Sequence, residues 1–206
     1  MTNIYEVTTL EALKALYGEP AQASLDKETD HLTDTYRQWL EHAPFYALAS
    51  QGNGFLDCSP RGDQQGALLK ILDSKTIILP DRRGNNRIDT LKNIVENPNV
   101  ALLFLIPGVG ETLRIKGKAI ITTDPEMLES FSENGKLPRT VIIIKIEAVY
   151  FQCARAIKRS ALWEKIPEDI LSTIPTAGQM IKAADQSFDA EGYDAVLSQR
   201  QAETLY

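Results

Sequence analysis

Between Phe45 and Phe151 seven β-type runs follow one another closely, and that succession limits the fold more than any other feature of the chain. The runs are Phe45–Ser50, Phe55–Cys58, Ala67–Leu72, Thr76–Leu79, Val100–Ile106, Thr112–Thr122 and Val141–Phe151. Turn signals end them: Gln51-Gly52-Asn53-Gly54, Ser59-Pro60-Arg61-Gly62, Asp73-Ser74-Lys75 and Pro107-Gly108. Only one helical pattern, Ile88–Glu96, comes between them, with apolar positions Ile88, Leu91, Ile94 and Val95. A parallel sheet needs a long crossover for each strand pair. The pattern therefore predicts a mostly antiparallel sheet closed into a barrel, because closure removes the edges that apolar strands otherwise expose.

Helices are expected at both ends. Thr8 or Thr9 caps a short helix running through Tyr17. Leu32, Tyr36, Trp39, Leu40 and Ala43 recur at helical spacing until Pro44, and Pro20–Asp30 reads as the connector. Past Tyr150 the helical segments are Ala154–Glu164, Thr176–Asp185 and Asp194–Tyr206. With no repeat or low-complexity linker, one domain is expected: a helical extension over 1–44, a barrel over 45–152 and a helical segment over 153–206. The fold class is α+β, mostly β with flanking helices.

A net charge of −6 over 206 residues disfavours nucleic acid, which needs a clustered basic face. No apolar run approaches the ~20 residues of a membrane span, and Met1–Glu6 lacks the features of a signal peptide. Cys58 and Cys153 have no metal spacing and read as a reduced, cytoplasmic pair. His31 and His42 are placed on one helix, in surface or capping roles.

Against this acidic background, Pro80-Asp81-Arg82-Arg83-Gly84-Asn85-Asn86-Arg87 concentrates three arginines between a strand and a helix start. Arginine forks match phosphate oxygens, a helix N-terminus favours an anion, Asn85 or Asn86 can cap the helix, and Gly84 lets the backbone bend. The same residues also make an ordinary solvated basic turn. Ser59-Pro60-Arg61-Gly62-Asp63 reads either as a β-turn or as polar groups aimed at a neighbouring strand. Thr112, Arg114 and Lys116 share one strand face. Arg155, Lys158 and Arg159 start a basic helix, Trp163 stacks or packs, and Cys153 reads as a structural thiol. There is no nucleophile–base pair, no G-x-G-x-x-G fingerprint and no P-loop.

In combination and order, these segments from Phe45 to Trp163 resemble the pyridoxamine 5′-phosphate oxidase-related family of FMN-binding split barrels, in particular an uncharacterised subgroup. The resemblance implies a homodimer with FMN at the subunit interface and a small-molecule substrate or reductant. It implies phosphate contacts from Arg82, Asn85, Asn86 and Arg87, and places Ser59, Arg61 and Thr112 near the flavin ring. It also brings Arg159, Ser160 and Trp163 into the cofactor site. The implied function is an FMN-dependent oxidoreductase or, alternatively, a non-catalytic carrier or sensor of FMN, another flavin or haem. Three departures from the true oxidases argue against pyridoxal phosphate synthesis. Gln65-Gly66-Ala67-Leu68-Leu69-Lys70 lacks their leading arginine, Gly84-Asn85-Asn86-Arg87 replaces their Ser-Arg-Lys motif, and their C-terminal Arg-x-His has no counterpart.

Overall fold

The computed structural model describes residues 5–205, so the reading of Met1–Glu6 and the helix end at Tyr206 fall partly outside the described residues. The strands are β1 (Phe45–Gln51), β2 (Leu56–Gly62), β3 (Lys70–Asp73), β4 (Thr76–Asp81), β5 (Asn99–Leu105), β6 (Thr112–Thr122) and β7 (Thr140–Gln152). They form one antiparallel sheet in the order β2-β1-β5-β6-β7-β4-β3. The two longest strands pair from Thr112 opposite Gln152 to Thr122 opposite Val141, with a bulge at Lys116/Gly117. Gly117 is required there, since a Cβ would meet the Lys145 carbonyl.

The sheet is split, which corrects the expectation of closure. β2 and β3 are its edges. β3 has only four residues and a register shift between Ile71 and Asp73, and it starts at Lys70 rather than at the predicted Ala67, which ends a turn over Gln65–Ala67. Ser59–Gly62 is not a turn but the second half of β2. Proline suits an edge strand, because Pro60 removes an N–H that a further strand would need.

Alternation decides which side chains fill the interior. Leu48, Leu102, Phe104, Ile115, Ile144, Ile77 and Leu79 form the main core, joined by Leu40 and Ile94 from two helices. Burying each such side chain stabilises the fold by ~1.5–3 kcal/mol. β4 is buried on both faces, because Ile78 turns outward onto Phe131 and Val141.

The helix that supplies Leu40 is α3, introduced after α1 (Leu10–Leu16) and α2 (Gln22–Asp26), and spans Asp34–Glu41. Thr9 caps α1 as expected, whereas α2 occupies the predicted connector. Neither histidine lies within α3: His31 precedes it, bonded to Asp30, and His42 is its C-cap, bonded to the Gln38 carbonyl. α4 (Asp89–Glu96) packs on β1, β2 and β6 through Leu91 and Ile94, while Val95 is exposed. α5 (Pro125–Glu129) between β6 and β7 was not foreseen. After β7 come α6 (Arg155–Ser160), α7 (Glu168–Leu171), α8 (Ala177–Ala184) and α9 (Ala190–Glu203). α1, α2, α6 and α7 bury no residue. Among the described residues no helix is long and apolar enough to cross a membrane.

Candidate functional site

Where the split sheet turns back on itself, β2 faces the end of β4, and a cleft of about 970 Å³ opens there. Its walls are β2, the loop from β4 into α4, and the connector from α5 into β7. Ser59, Arg61, Arg82, Asn85, Asn86 and Arg87 all lie on it, so six of the ten residues singled out in the sequence share one cavity. Thr112, Arg159, Ser160 and Trp163 do not line it. Thr112 is buried at the start of β6, opposite Gln152. Trp163 donates its indole N–H to the Val109 carbonyl at 2.7 Å, and Arg159 and Ser160 are exposed on α6.

Charge sets the character of the cleft. Among the described residues, six cationic side chains line it (Arg61, Arg82, Arg83, Arg87, Lys136 and Arg139) against three carboxylates, Asp57, Asp81 and Asp89. Arg61 Nη1 donates to Asp81 Oδ1 at 2.8 Å, across the split. Arg82 Nε donates to Asp63 Oδ2 at 2.7 Å. Arg87 Nε donates to Asp89 Oδ2 at 2.8 Å, and this bond chiefly holds the Asp89 carboxyl below the usual carboxylate range. Burial pushes the Tyr46 hydroxyl upward, with the Arg61 charge opposing, so a neutral phenol underlies the charged wall. Among the described residues, two buried polar atoms on the cleft walls have no hydrogen-bond partner, Arg61 Nε and Thr140 Oγ1. Leaving such a group unpaired costs ~1–3 kcal/mol.

The loop into α4 differs from its sequence reading in detail. The helix starts at Asp89, and its N-cap position is Ile88, with no side-chain cap. Asn85 Oδ1 accepts instead from the Arg87 N–H at 3.1 Å, and Asn86 Oδ1 accepts from Arg139 at 3.4 Å. The left-handed bends fall on Asn86 (φ 60°) and Ile88 (φ 52°) rather than on Gly84. Asparagine tolerates that region, but for a β-branched residue it stores ~1–2 kcal/mol. Three polar contacts fix the helix against the β1–β2 hairpin: Thr90 to Asp57, Asn93 to Ser50, and the Asn53 N–H to Glu96. The exposed basic end of the loop is thus carried on a rigid support.

Lys136, Arg139 and Thr140 escaped the sequence reading. The signal was Asn134-Gly135, whose residues take φ 51° and 74° in a tight turn just before the longest apolar strand. Cys58 lies on the cleft, and both Cys58 and Cys153 are exposed, so Cys153 is not the buried structural thiol that was expected.

The sequence model of the pyridoxamine 5′-phosphate oxidase family matches residues 32–153. The chain belongs to this family. The pyridoxamine 5′-phosphate oxidase match runs from just before α3 to the end of β7, so it includes the whole cleft and leaves out α1, α2 and α6–α9. Solved structures are similar at low identity. Group A Streptococcus HupZ is 21% identical, with a TM-score of 0.46 over 57% of this chain and 91% of that one. A Clostridium acetobutylicum protein of the pyridoxinephosphate oxidase family, related to general stress protein 26, is 13% identical, with a TM-score of 0.42 over 58% and 86%. The FAD binding protein of Mycobacterium smegmatis is 12% identical, with a TM-score of 0.42 over 60% and 97%. Comparison with curated proteins gives no match.

Proposed function

We propose that the chain is a flavoprotein that binds FMN in the cleft between β2 and the β4–α4 loop, and that it works as an oxidoreductase on a small substrate. The observation that carries this reading is the excess of cationic side chains on that one cleft in a chain of net charge −6. Family membership supports a flavin. The size supports it too, since small-molecule sites usually enclose ~300–1,000 Å³.

The residues fit such a group. Arg83, Arg87 and Arg139 bring guanidinium forks to the mouth of the cleft, where a phosphate needs them, and Asn85 and Asn86 shape the loop between them. Ser59 offers a hydroxyl from β2, and the unpartnered Arg61 Nε and Thr140 Oγ1 are polar atoms that small adjustments would satisfy. Arg61 carries little net charge into the cleft, because Asp81 neutralises it. When bound, FMN supplies the electron-transfer chemistry, and the protein need only bind and orient it and exclude water. Neither histidine lines the cleft, which favours flavin over haem.

The remaining four residues enter this reading through a homodimer. Thr112, Arg159, Ser160 and Trp163 lie off the cleft within one chain, and a second copy would bring its own set to the flavin. Absorbance of the purified protein before and after FMN addition and desalting is the test. Retained flavin bands, weakened in Arg87→Ala, are expected. A colourless protein that releases all FMN overturns the proposal.

A further inference from the structure

Arg82 stands in the most basic loop of the chain, yet its guanidinium is engaged by protein on two sides. Nε donates to Asp63 Oδ2 at 2.7 Å, and Nη1 donates to the Phe131 carbonyl at 2.8 Å. The Asp63 side chain is 2% exposed and that of Arg82 17%. Each partner belongs to a different wall. Asp63 directly follows β2, which carries Ser59 and Arg61. Phe131 is a core residue that opens the connector bearing Lys136, Arg139 and Thr140. Arg82 itself begins the segment that carries Arg83, Asn85, Asn86 and Arg87. One planar group therefore ties the end of β2, which no backbone ladder joins to β4 or β7, to the two segments that diverge beyond the last β4–β7 pair, Asp81 opposite Thr140. A lysine, with one nitrogen at the end of a flexible stem, cannot reproduce two donors held at a fixed angle.

We propose that Asp63 and Arg82 form a latch that positions the anion-binding walls of the cleft. Arg82 is a positioning residue rather than a phosphate ligand, and the buried Asp63 carboxylate holds it in place. The inference rests on the FMN reading of the cleft. Removing either partner of a buried pair strands the other charge, so both segments must shift to rehydrate it. The guanidinium groups of Arg83, Arg87 and Arg139 then lose their mutual spacing, although none of them has been altered.

The test is FMN titration, followed by flavin fluorescence, on the full chain as wild type, Asp63→Asn, Arg82→Gln, Arg82→Lys and the double variant Asp63→Asn/Arg82→Gln. Amide hydrogen exchange over residues 83–88 and 132–139 is measured on the same proteins without flavin. Asp63→Asn and Arg82→Gln are each expected to weaken FMN binding by roughly tenfold or more, and the double variant no further, because the two act as one unit. Arg82→Lys should bind as weakly as Arg82→Gln despite its retained charge, and exchange in both segments should accelerate. Normal FMN affinity in Asp63→Asn, or near-normal affinity in Arg82→Lys with loss in Arg82→Gln, overturns the latch. Lowered melting temperature with unchanged affinity also overturns it, since the pair would then be merely stabilising. Should Asp63→Asn fail to fold, Arg82→Lys carries the same distinction. A wild type that does not bind FMN ends the flavin proposal alone; accelerated exchange then still supports the latch, and unchanged exchange overturns it.

Discussion

The β6–β7 pair and the gap between β2 and β4 are two ways of joining strands, and they place opposite demands on the sequence. From Thr112 to Thr122 the first is a backbone ladder interrupted at the Lys116/Gly117 bulge, and its inward side chains Leu113, Ile115, Ile144 and Val149 are almost wholly buried. In the second, side chains make the joint: Arg61 reaches Asp81, and Arg82 reaches Asp63. Burial along a ladder is shared by many residues, so one change lowers stability without altering how the strands meet. A joint made of a few charges depends on each of them, and it leaves room for a cavity that a ladder would fill. The split thus provides the cleft and makes its geometry sensitive to single residues.

The largest expected effect tests the ladder. Ile144→Ala should cost ~2–5 kcal/mol, read as a lower denaturation midpoint, with FMN affinity of the folded fraction unchanged. Affinity falling as steeply as stability would remove the contrast between the two regions. Next comes Arg61→Met, which strands the mostly buried Asp81 and should cost about 1–3 kcal/mol. Unlike Ile144→Ala, it should also weaken FMN binding, and equal affinity in the variant and wild type would show that this joint does not shape the cleft. Ile88→Asn should raise stability by about 1 kcal/mol by relieving a left-handed isoleucine, measured by chemical denaturation.

The smallest expected effect lies outside both regions, where residues 29–32 cross to the β3–β4 turn and to β7. There Thr29 bridges Val149, and Leu32 donates to the Ser74 carbonyl. Hydrogen bonds from Lys75 first, and from His31, hold Asp30 down from its ordinary 3.8 to about 2. A depressed carboxylate contributes fully above its unfolded value and loses that contribution as pH falls through its folded value. The melting difference between wild type and Asp30→Asn should therefore be constant above about pH 5 and shrink as pH falls through about 2. A difference as large at pH 2 as at pH 5 would deny the exposed pair its electrostatic origin.

The ladder was legible in the sequence because its cause is local. The isoleucine-rich run at Val141–Ile146 and the alternation from Thr112 each announce a strand without reference to anything distant. Thr9 and Pro44 likewise marked the helix boundaries they control. β2 was truncated because Ser59-Pro60-Arg61-Gly62 carries turn chemistry, and only its position at a sheet edge makes those residues a strand. Of the candidate site, the basic loop was visible as a concentration of charge. The engagement of Arg82 was not, because Asp63 and Phe131 are remote in sequence and neither is unusual where it stands. Nor was the αL conformation of Ile88, which runs against the local preference of a β-branched residue.

The strand order also sets a timetable for synthesis. β4 pairs with β7 and otherwise only with the short β3, so its apolar Ile77, Ile78 and Leu79 emerge long before their main partner exists. Everything from Arg82 to Arg139 must be translated first, which at ~5–20 residues per second leaves those side chains waiting for several seconds. The nascent chain is most exposed to mispairing during that interval, and a pause in translation just before Thr140 would prolong it.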